Sequence, residues 1–249
     1  MLKRYFLKIA FDGSNYHGWQ IQANHNTIQE TITKILCQLF DEKIKIVGCG
    51  RTDTGVHAKQ YFFHFDTSKE RKKLFDSIKI MFPKDIQLLN IYEVDIKSHA
   101  RYDAIERSYT YNLHQKKDIF KRHFSLEEDL KNLNIDAINK ACILFVQETN
   151  YQQLCKNNPN AKNYISKIKK AEWKISSDKK QASFHITANR FLHNQIRRML
   201  GVLLNIGKGK VSLEELENAL KNNTTLKYND TTPPNGLFLH SIKYPFIDS

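Results

Sequence analysis

The sequence predicts an α+β protein whose strands pair mainly in antiparallel fashion. Segments with strand character outnumber the helices available to cross between parallel strands, and they fall in neighbouring pairs along the chain. With 249 residues, the chain is long enough for one large domain or two small ones that bury a sizeable core. No low-complexity linker divides it, so we expect two halves, residues 1–100 and 101–249, that share a continuous core.

Apolar periodicity assigns the elements of the first half. Strands are predicted at 3–11, 44–48, 60–66 and 86–95, and helices at 26–40 and 69–80. The first helix has an apolar stripe at helical spacing, and Thr27 and Glu30 form a capping-box pair at its start. Pro83 breaks the chain after the second helix.

The second half repeats this alternation of strands and helices. Strands are predicted at 107–114, 164–175, 181–189 and 237–243, and helices at 135–147, 191–206 and from Ser212 onward. Glu215 is the capping-box partner of Ser212. The apolar stripe of helix 191–206 consists of Leu192, Ile196, Met199, Leu200 and Leu203. Arg197 and Arg198 lie off this stripe. A lone arginine on a helix is usually solvated, whereas two near the start of a helix that follows a strand could instead face a cleft.

The chain carries a large positive charge. Lys and Arg number 39 against 26 Asp and Glu, a net charge of +13, which favours a polyanionic partner such as nucleic acid, an anionic membrane face or a phosphorylated ligand. The membrane is the weaker interpretation, because the sequence has no run of 18 apolar residues and no basic amphipathic helix. Solubility alone is the remaining explanation of the charge.

Cysteine and histidine usage gives no sign of a metal site. The four cysteines form no CxxC pair, so we expect reduced thiols in a cytoplasmic protein. The N-terminal segment lacks the apolar stretch and cleavage site of a signal peptide, which agrees with this localisation. His57, His64 and His193 have no metal-ligand spacing, and we interpret them as polar cleft or surface groups.

The segment GCGRTDTGVHA at 48–58 joins two predicted strands and forms a loop at a strand end. Its glycines permit close approach of a ligand, and local hydrogen bonds from Thr52 and Thr54 are expected to fix the loop. The loop presents Asp53, with Arg51 two residues earlier. Aspartic proteases also use Asp-Thr-Gly, but they need two aspartates that share a proton, and this chain has one triplet. A turn tied by an Arg51–Asp53 salt bridge is the other interpretation.

The segment DGSNYHGWQIQ at 12–22 combines aromatic and amide side chains. On a basic surface, Tyr16 is a candidate for stacking on a base, and Gln20 and Gln22 are candidates for reading base edges. Burial in the core is the competing interpretation of the two aromatic residues, and it is at least as good for Trp19.

The segment ERSYTYN at 106–112 alternates between the two faces of a strand. This alternation sends Tyr109 and Tyr111 to one face, where a tyrosine in an active cleft is able to stack on a base and handle a proton. We assign that role to Tyr109 and assign Tyr111 to the packing of the sheet.

Taken together, these segments resemble the tRNA pseudouridine synthase A family. The resemblance runs in order along the chain, through AFDGSNYHGWQIQ at 10–22, NTIQETI at 26–32, GCGRTDTGVHAKQ at 48–60, HARYDAIERSYTYNL at 99–113, NRFLHNQIRRMLGVLLNIGKG at 189–209 and PPNGLFLHSIKY at 233–244. Of these, the GRTDxGVHA pattern is specific to the family, and the others are moderately specific.

The resemblance implies a fold and a reaction. The family fold is two ferredoxin-like α+β halves whose antiparallel sheets join across a central cleft. The reaction isomerises uridine to pseudouridine at positions 38 to 40 of the tRNA anticodon stem-loop, without a cofactor or metal. The family also implies a homodimer in which one tRNA touches both subunits.

The resemblance also assigns roles to residues. Asp53 is implied as the catalytic carboxylate, which attacks C1′ or C6 or removes a sugar proton. Tyr109 is implied to stack on the uracil and assist removal of the C5 proton, and Arg51 to hold the flipped-out conformation or fill the gap. Arg197 is implied to pair with the catalytic aspartate and keep it ionised, while we expect Arg198 to be solvated. The residues assigned to substrate or RNA binding are Arg51, Thr52, Thr54, His57, Tyr16, Gln20 and Gln22.

The sequence departs from the family pattern at a few points. Thr54 stands where the family often has Ala, and the segment VQETNYQQL at 146–154 replaces a more regular family motif. Another uridine of tRNA or RNA therefore remains an alternative target. An RNA-binding protein that assists tRNA folding, with secondary catalysis, remains an alternative class, although the intact GRTD motif argues against it.

Overall fold

The fold is described from a computed structural model that covers residues 2–68, 74–157 and 162–247. The chain forms two compact units, Met1–Arg107 with Phe238–Ser249, and Ser108–Leu237. It therefore leaves the first unit after Arg107 and returns to it for the last strand. The division of function between residues 1–100 and 101–249 stays a prediction.

The described residues include nine strands and five α-helices. The strands are β1 (Lys3–Phe11), β2 (Val47–Gly48), β3 (His57–Thr67), β4 (Ile86–Val94), β5 (Glu106–His114), β6 (Leu126–Glu127), β7 (Ile168–Ile175), β8 (Gln181–Ala188) and β9 (Leu237–Lys243). The helices are α1 (Ile28–Phe40), α2 (Leu74–Met81), α3 (Ile135–Gln147), α4 (Gln195–Gly207) and α5 (Leu213–Asn222). This mixture confirms the predicted α+β class. Within the same residues, no helix is long and apolar enough to cross a membrane.

Most predicted elements are present, and the differences lie at their ends. The strand predicted at 44–48 is reduced to β2, and the two-residue β6 was not predicted. The helix predicted from residue 191 begins at Gln195, because Asn194 has a φ of 61°, a left-handed conformation that interrupts a helix. Leu192 therefore precedes α4 and does not belong to its stripe. The start of the predicted second helix, 69–73, lies outside the described residues.

The sheet of the first unit has the strand order β4-β1-β3-β9, and β2 pairs with β3. β1 is antiparallel to β3 and β4, whereas β3 is parallel to β9. β3 is buried along most of its length because both of its faces are covered. Phe65 contacts Phe40 of α1 on one face, with 5.5 Å between ring centroids, and Phe62 contacts Tyr244 on the other at 5.1 Å. The central strand is thereby a rigid base for the loop that precedes it.

The sheet of the second unit has the order β5-β8-β7, with β6 beside β5. β7 and β8 form an antiparallel hairpin, and the hydroxyl groups of Ser108 on β5 and Thr187 on β8 share a hydrogen bond of 2.8 Å. α4 is buried on all sides over 199–207. A Cβ added to Gly201 in this stretch would collide with the Asp230 carbonyl oxygen, so α4 packs against backbone there. The helix is a core element whose first turn carries the two predicted arginines.

His64 on β3 is buried, so its assignment as a cleft or surface group was wrong. Its ring stacks on Phe6, and its Nδ1 accepts a hydrogen bond from the Ala100 N–H at 3.0 Å. Burial lowers the pKa of His64 from 6.5 to about 4, and the positive charge of Arg4 acts in the same direction. The imidazole therefore remains neutral in the folded protein at neutral pH.

We expect the stability of the protein to fall as the pH drops from about 6.5 towards 4. In this window the unfolded chain binds a proton at residue 64 more tightly than the folded chain does, so acidification favours unfolding. His64→Gln keeps an acceptor for the Ala100 N–H but cannot titrate. Urea unfolding should show that this variant loses less stability than the wild type between pH 7 and pH 4.5. His25→Gln, at an exposed histidine, is the control, and equal pH slopes for wild type and His64→Gln would contradict the prediction.

Candidate active site

A loop at 49–56, called here the Asp53 loop, connects β2 to β3 in the first unit. Its side chains are exposed at Arg51 and Thr54, partly exposed at Asp53 and buried at Thr52. The loop therefore presents one carboxylate and one guanidinium at the surface while its middle is anchored.

Backbone hydrogen bonds hold the Asp53 loop in one conformation. The Val56 N–H donates to the Asp53 carbonyl oxygen at 3.2 Å, and the Gly55 N–H donates to the Tyr16 carbonyl oxygen at the same distance. Gly55 has a φ of 75°, in the left-handed region that favours glycine. The residue after Thr54 therefore needs to be glycine for this turn to close without strain.

A second loop, residues 12–19, packs directly against the Asp53 loop. The Trp19 N–H donates to the Thr52 carbonyl oxygen at 3.2 Å, and the Gly13 N–H donates to Nδ1 of His57 at 3.1 Å. No hydrogen-bond partner for the buried Thr52 hydroxyl is found among the described residues. The backbone of Thr52 anchors the loop, and the prediction that its hydroxyl does so was wrong.

Two glycines make the close approach of these loops possible. A Cβ added to Gly13 would collide with the Val56 carbonyl oxygen, and one added to Gly18 would collide with the Thr52 carbonyl oxygen. Gly18 also has a φ of 79°, so a side chain there would strain the backbone as well. The spacing of glycines in DGSNYHGW is thus a requirement of the contact with the Asp53 loop.

Aromatic side chains support the Asp53 loop from beneath. Trp19 is buried and stacks on Tyr61 of β3, with 4.2 Å between ring centroids. The Tyr61 hydroxyl donates to the Gly50 carbonyl oxygen. A Cβ at Gly48 would collide with both rings, so the strand end has to be glycine. Of the two interpretations of Trp19, base stacking and burial in the core, the structure supports burial in the core.

Arg107 is a residue of this region that the motifs did not identify. Its guanidinium donates to the Cys49 carbonyl oxygen at 3.1 Å, the Arg101 carbonyl oxygen at 2.8 Å and the Ala104 carbonyl oxygen at 3.2 Å. It thereby connects the start of the Asp53 loop to the 101–104 turn. Arg107 stands two residues before Tyr109 in the motif ERSY, and this position could have identified it as a residue of interest. The sequence does not show which carbonyl groups it contacts.

Burial suppresses the reactivity of the neighbouring cysteine. Cys49 is fully buried, and this burial raises the pKa of its thiol to about 11. The thiol is therefore protonated at neutral pH, and the acidic side chain that the loop brings near the surface is that of Asp53.

Tyr16 and His57, both assigned to substrate binding, are buried side chains of the first unit. Tyr16 is 4% exposed, and its hydroxyl donates to the Asp85 carboxylate at 2.7 Å. Burial and that carboxylate raise the pKa of Tyr16. His57 stacks on Phe238 at 4.6 Å between ring centroids. Both residues therefore support the loops in this conformation, and contact with RNA stays a prediction for them.

Gln20 and Gln22 follow the second loop on its solvent side. Gln20 is partly exposed, and Gln22 is exposed with its Nε2 donating to the His17 carbonyl oxygen at 2.8 Å. Their assignment to base recognition stays a prediction.

Tyr109 lies on β5 in the second unit and is partly exposed. Its ring meets Phe191 edge-on at 5.2 Å between centroids. Tyr111 is fully buried, and its hydroxyl donates to the Pro233 carbonyl oxygen at 2.7 Å. Tyr111 therefore packs in the core as predicted, and Tyr109 is the more accessible tyrosine of the pair.

Arg197 and Arg198 occupy the first turn of α4, and both are partly buried. Arg197 donates from Nε to the Thr232 carbonyl oxygen at 2.6 Å, and its own carbonyl oxygen accepts from the Thr232 hydroxyl at 3.0 Å. Arg198 donates to the Cys155 carbonyl oxygen at 2.7 Å. Arg198 is therefore a structural residue and does not have the solvated role expected of it.

The predicted site residues thus fall into two groups. The Asp53 loop and its supporting loop belong to the first unit, and Tyr109 and Arg197 belong to the second. Within the part of the chain that the structure describes, no three or more His, Cys, Asp and Glu side chains are grouped so as to hold a metal ion.

Comparison with known proteins gives consistent matches. A family profile described as tRNA pseudouridine synthase matches residues 141–245. The chain is 34% identical to tRNA pseudouridine synthase A of Bacteroides fragilis, over 98% of this chain and 97% of that protein. It is 33% identical to the Bacteroides thetaiotaomicron protein of the same name, over 98% and 91% of the two chains. A third protein of that name, from Azobacteroides pseudotrichonymphae, is 34% identical over 98% of each chain.

We expect Arg107→Met to loosen the Asp53 loop. The change leaves three carbonyl oxygens without their charged donor, which should cost about 2 kcal/mol or more of folding free energy. Hydrogen exchange of the amides at 49–56 should also quicken. Arg101→Met is the matched control, because that guanidinium is exposed over the Tyr102 ring. Equal urea midpoints and exchange rates for the two variants would contradict the anchoring role of Arg107.

Proposed function

Since the chain belongs to the tRNA pseudouridine synthase A family, with 34% identity over 98% of its length, we propose that it isomerises uridine to pseudouridine in tRNA. The observation that carries the proposal is the Asp53 loop itself. It brings one partly exposed carboxylate beside an exposed arginine and is anchored through its backbone on either side of Asp53. A carboxylate held in this way suits a reaction that has to occur at one atom of a bound nucleotide.

The proposed reaction needs little beyond a positioned carboxylate. The N1–C1′ bond of uridine breaks, the uracil turns, and a C5–C1′ bond forms. The C5 proton is lost and N1 regains a proton, so there is no net change in oxidation state. Asp53 acts by attack on C1′, by attack on C6 or by removal of a sugar proton, and each of these steps requires the ionised carboxylate.

The nucleotide has to leave the base stack before it can react, at a cost on the order of a few kcal/mol. Arg51 is exposed beside Asp53, which suits a side chain that holds the flipped-out nucleotide by its phosphate or fills its place. The exposed Thr54 and the partly exposed Gln20 are available for further contacts on the same unit.

We propose Tyr109 and Arg197 as the other two catalytic residues. Tyr109 is partly exposed on β5, so its ring is available to stack on the uracil and its hydroxyl to assist transfer of the C5 proton. Three hydrogen bonds join Arg197 to Thr232, one from its side chain and two to its carbonyl oxygen, so the structure holds this arginine in place. The family resemblance pairs its cation with the carboxylate of Asp53. The family pattern supports both assignments.

Several finer features belong to the same proposal. The target uridines are those at positions 38 to 40 of the anticodon stem-loop, the enzyme is a cytoplasmic homodimer, and its two halves are ferredoxin-like. The target positions, the homodimer and the ferredoxin-like halves follow from the family resemblance, and the localisation follows from the cysteine usage of the sequence. The net charge of +13 agrees with a tRNA substrate, because phosphate contacts dominate the affinity of proteins for nucleic acids.

Asp53→Asn should abolish pseudouridine formation while tRNA binding is largely kept. The amide has the shape of the carboxylate but lacks its negative charge, so we expect turnover to fall by roughly 10³-fold or more. Tritium release from C5-labelled tRNA measures turnover, and filter binding measures affinity. Asp76→Asn, at an exposed residue of α2, is the control. Turnover of the Asp53 variant near the wild-type rate would refute the assignment.

Arg197→Ala should reduce turnover by roughly 10²-fold or more and change tRNA affinity little, because the role proposed for this cation is to orient Asp53. Arg198→Ala is the matched control on the same helical turn. It should lower the unfolding midpoint, since it removes the bond to the Cys155 carbonyl oxygen, and leave turnover of the folded enzyme near the wild-type rate. Single-turnover assays at saturating tRNA separate these effects. Normal saturated turnover with weak binding in the Arg197 variant would mean that Arg197 is a phosphate contact.

A further inference from the structure

The loop at 115–124, between β5 and β6 in the second unit, combines positive charge with exposed apolar side chains. Phe120 is 87% exposed, and Ile119 and Phe124 are also exposed. The cations of this loop are Lys116, Lys117, Lys121 and Arg122. A large aromatic side chain so fully in water is unfavourable unless something covers it.

The exposure of Phe120 is not the result of a loose loop. The Gln115 N–H donates to the Lys180 carbonyl oxygen at 3.0 Å, which ties the loop to the β7–β8 turn. Nδ2 of Asn235 donates to the carbonyl oxygens of Arg122 at 2.7 Å and Ser125 at 2.9 Å. The loop is anchored at both ends, so it presents Phe120 on a fixed scaffold.

A groove of about 560 Å³ lies between this loop and the ends of β7 and β8. Phe120, Lys121 and Phe124 line one side, and Lys174, Ser176 and Gln181 line the other. Its walls therefore supply apolar rings, ammonium groups and neutral hydrogen-bonding groups together.

The charge of the groove is only partly compensated. Lys121 approaches Asp118 at 3.6 Å and Lys174 approaches Glu172 at 3.4 Å, both at exposed positions where such pairs contribute little. Among the described residues, no carboxylate forms a salt bridge with Lys116, Lys117 or Arg122. Arg122 donates from Nε to Nε2 of His123 at 2.8 Å, which does not neutralise its charge. The positive charges of these three residues are therefore available to an anionic partner.

We propose that the 115–124 loop and its groove bind an unpaired stretch of the tRNA substrate, in which a base stacks on Phe120 and the phosphates lie along the lysines. This rests on the proposed function only in taking tRNA as the RNA. Aromatic rings interleaved with cations are what single-stranded nucleic acid requires, because each base offers a face for stacking and each phosphate a charge. A second copy of the chain fits less well, since a symmetric contact would bring the same cations together.

The test compares Phe120→Ala and the double variant Lys116→Gln, Lys117→Gln with a control variant, Ile80→Ala. Ile80 is 82% exposed on α2 in the other unit. Ile80→Ala therefore removes an exposed apolar side chain, as Phe120→Ala does, but outside the proposed surface. Filter binding with tRNA at salt concentrations from 50 to 200 mM measures affinity, and a urea midpoint confirms folding. We expect Phe120→Ala to weaken binding roughly 5- to 100-fold. The double lysine variant should reduce the salt slope by roughly 1 to 2.

The results of these experiments distinguish a failure of the proposed RNA surface from a failure of the proposed reaction. Unchanged affinity and salt slope in both variants would overturn the RNA surface. The RNA surface would also be overturned if Phe120→Ala altered the sedimentation coefficient of the protein and left its tRNA affinity unchanged. The loop would then be a contact between copies of the chain. Product formation by the wild type is measured on the same tRNA. An enzyme that forms no pseudouridine but loses affinity on Phe120→Ala would refute the proposed reaction and retain the surface.

Discussion

The close contact between two backbone loops is the constraint on which the first unit depends. Residues 12–19 and 49–56 approach so closely that neither Gly13 nor Gly18 has room for a Cβ. Hydrogen bonds at Thr52 and Gly55 join the loops on either side of Asp53. Because these anchors are backbone groups on either side of Asp53, the chain that carries this residue is fixed relative to β3.

The surrounding residues serve this contact. Trp19 and Tyr61 stack beneath the loop, and Arg107 joins its first carbonyl group to the 101–104 turn. Arg107 is also the last residue of the first part of unit one, two positions before Tyr109. A side chain that anchors the Asp53 loop thus stands at the start of the strand that carries a second proposed catalytic residue. The bonds from Arg107 to three backbone carbonyl groups give this cation a structural role.

In the second unit, burial determines which side chains remain available for chemistry. Tyr111 and Arg198 each donate a hydrogen bond to a backbone carbonyl oxygen, which gives both side chains a structural role. Tyr109 remains partly exposed one step earlier on the same strand face, and the buried α4 positions Arg197 through Thr232. Of each pair, one residue has a structural role, Tyr111 or Arg198. The other, Tyr109 or Arg197, is proposed for catalysis.

The sequence by itself determined the α+β class and most element positions, including β1, β9 and α3, because apolar periodicity and capping are local properties. It also determined Asp53 as the candidate carboxylate, since the motif around it is specific. The tertiary structure decided the rest. The hydrogen bonds of the buried Tyr16 and His64 side chains, and the bond from Arg107 to the Cys49 carbonyl group, have partners 36 to 69 residues away in the chain. No local pattern records such partners, because burial and hydrogen bonding are set by which distant backbone the folded chain brings into contact.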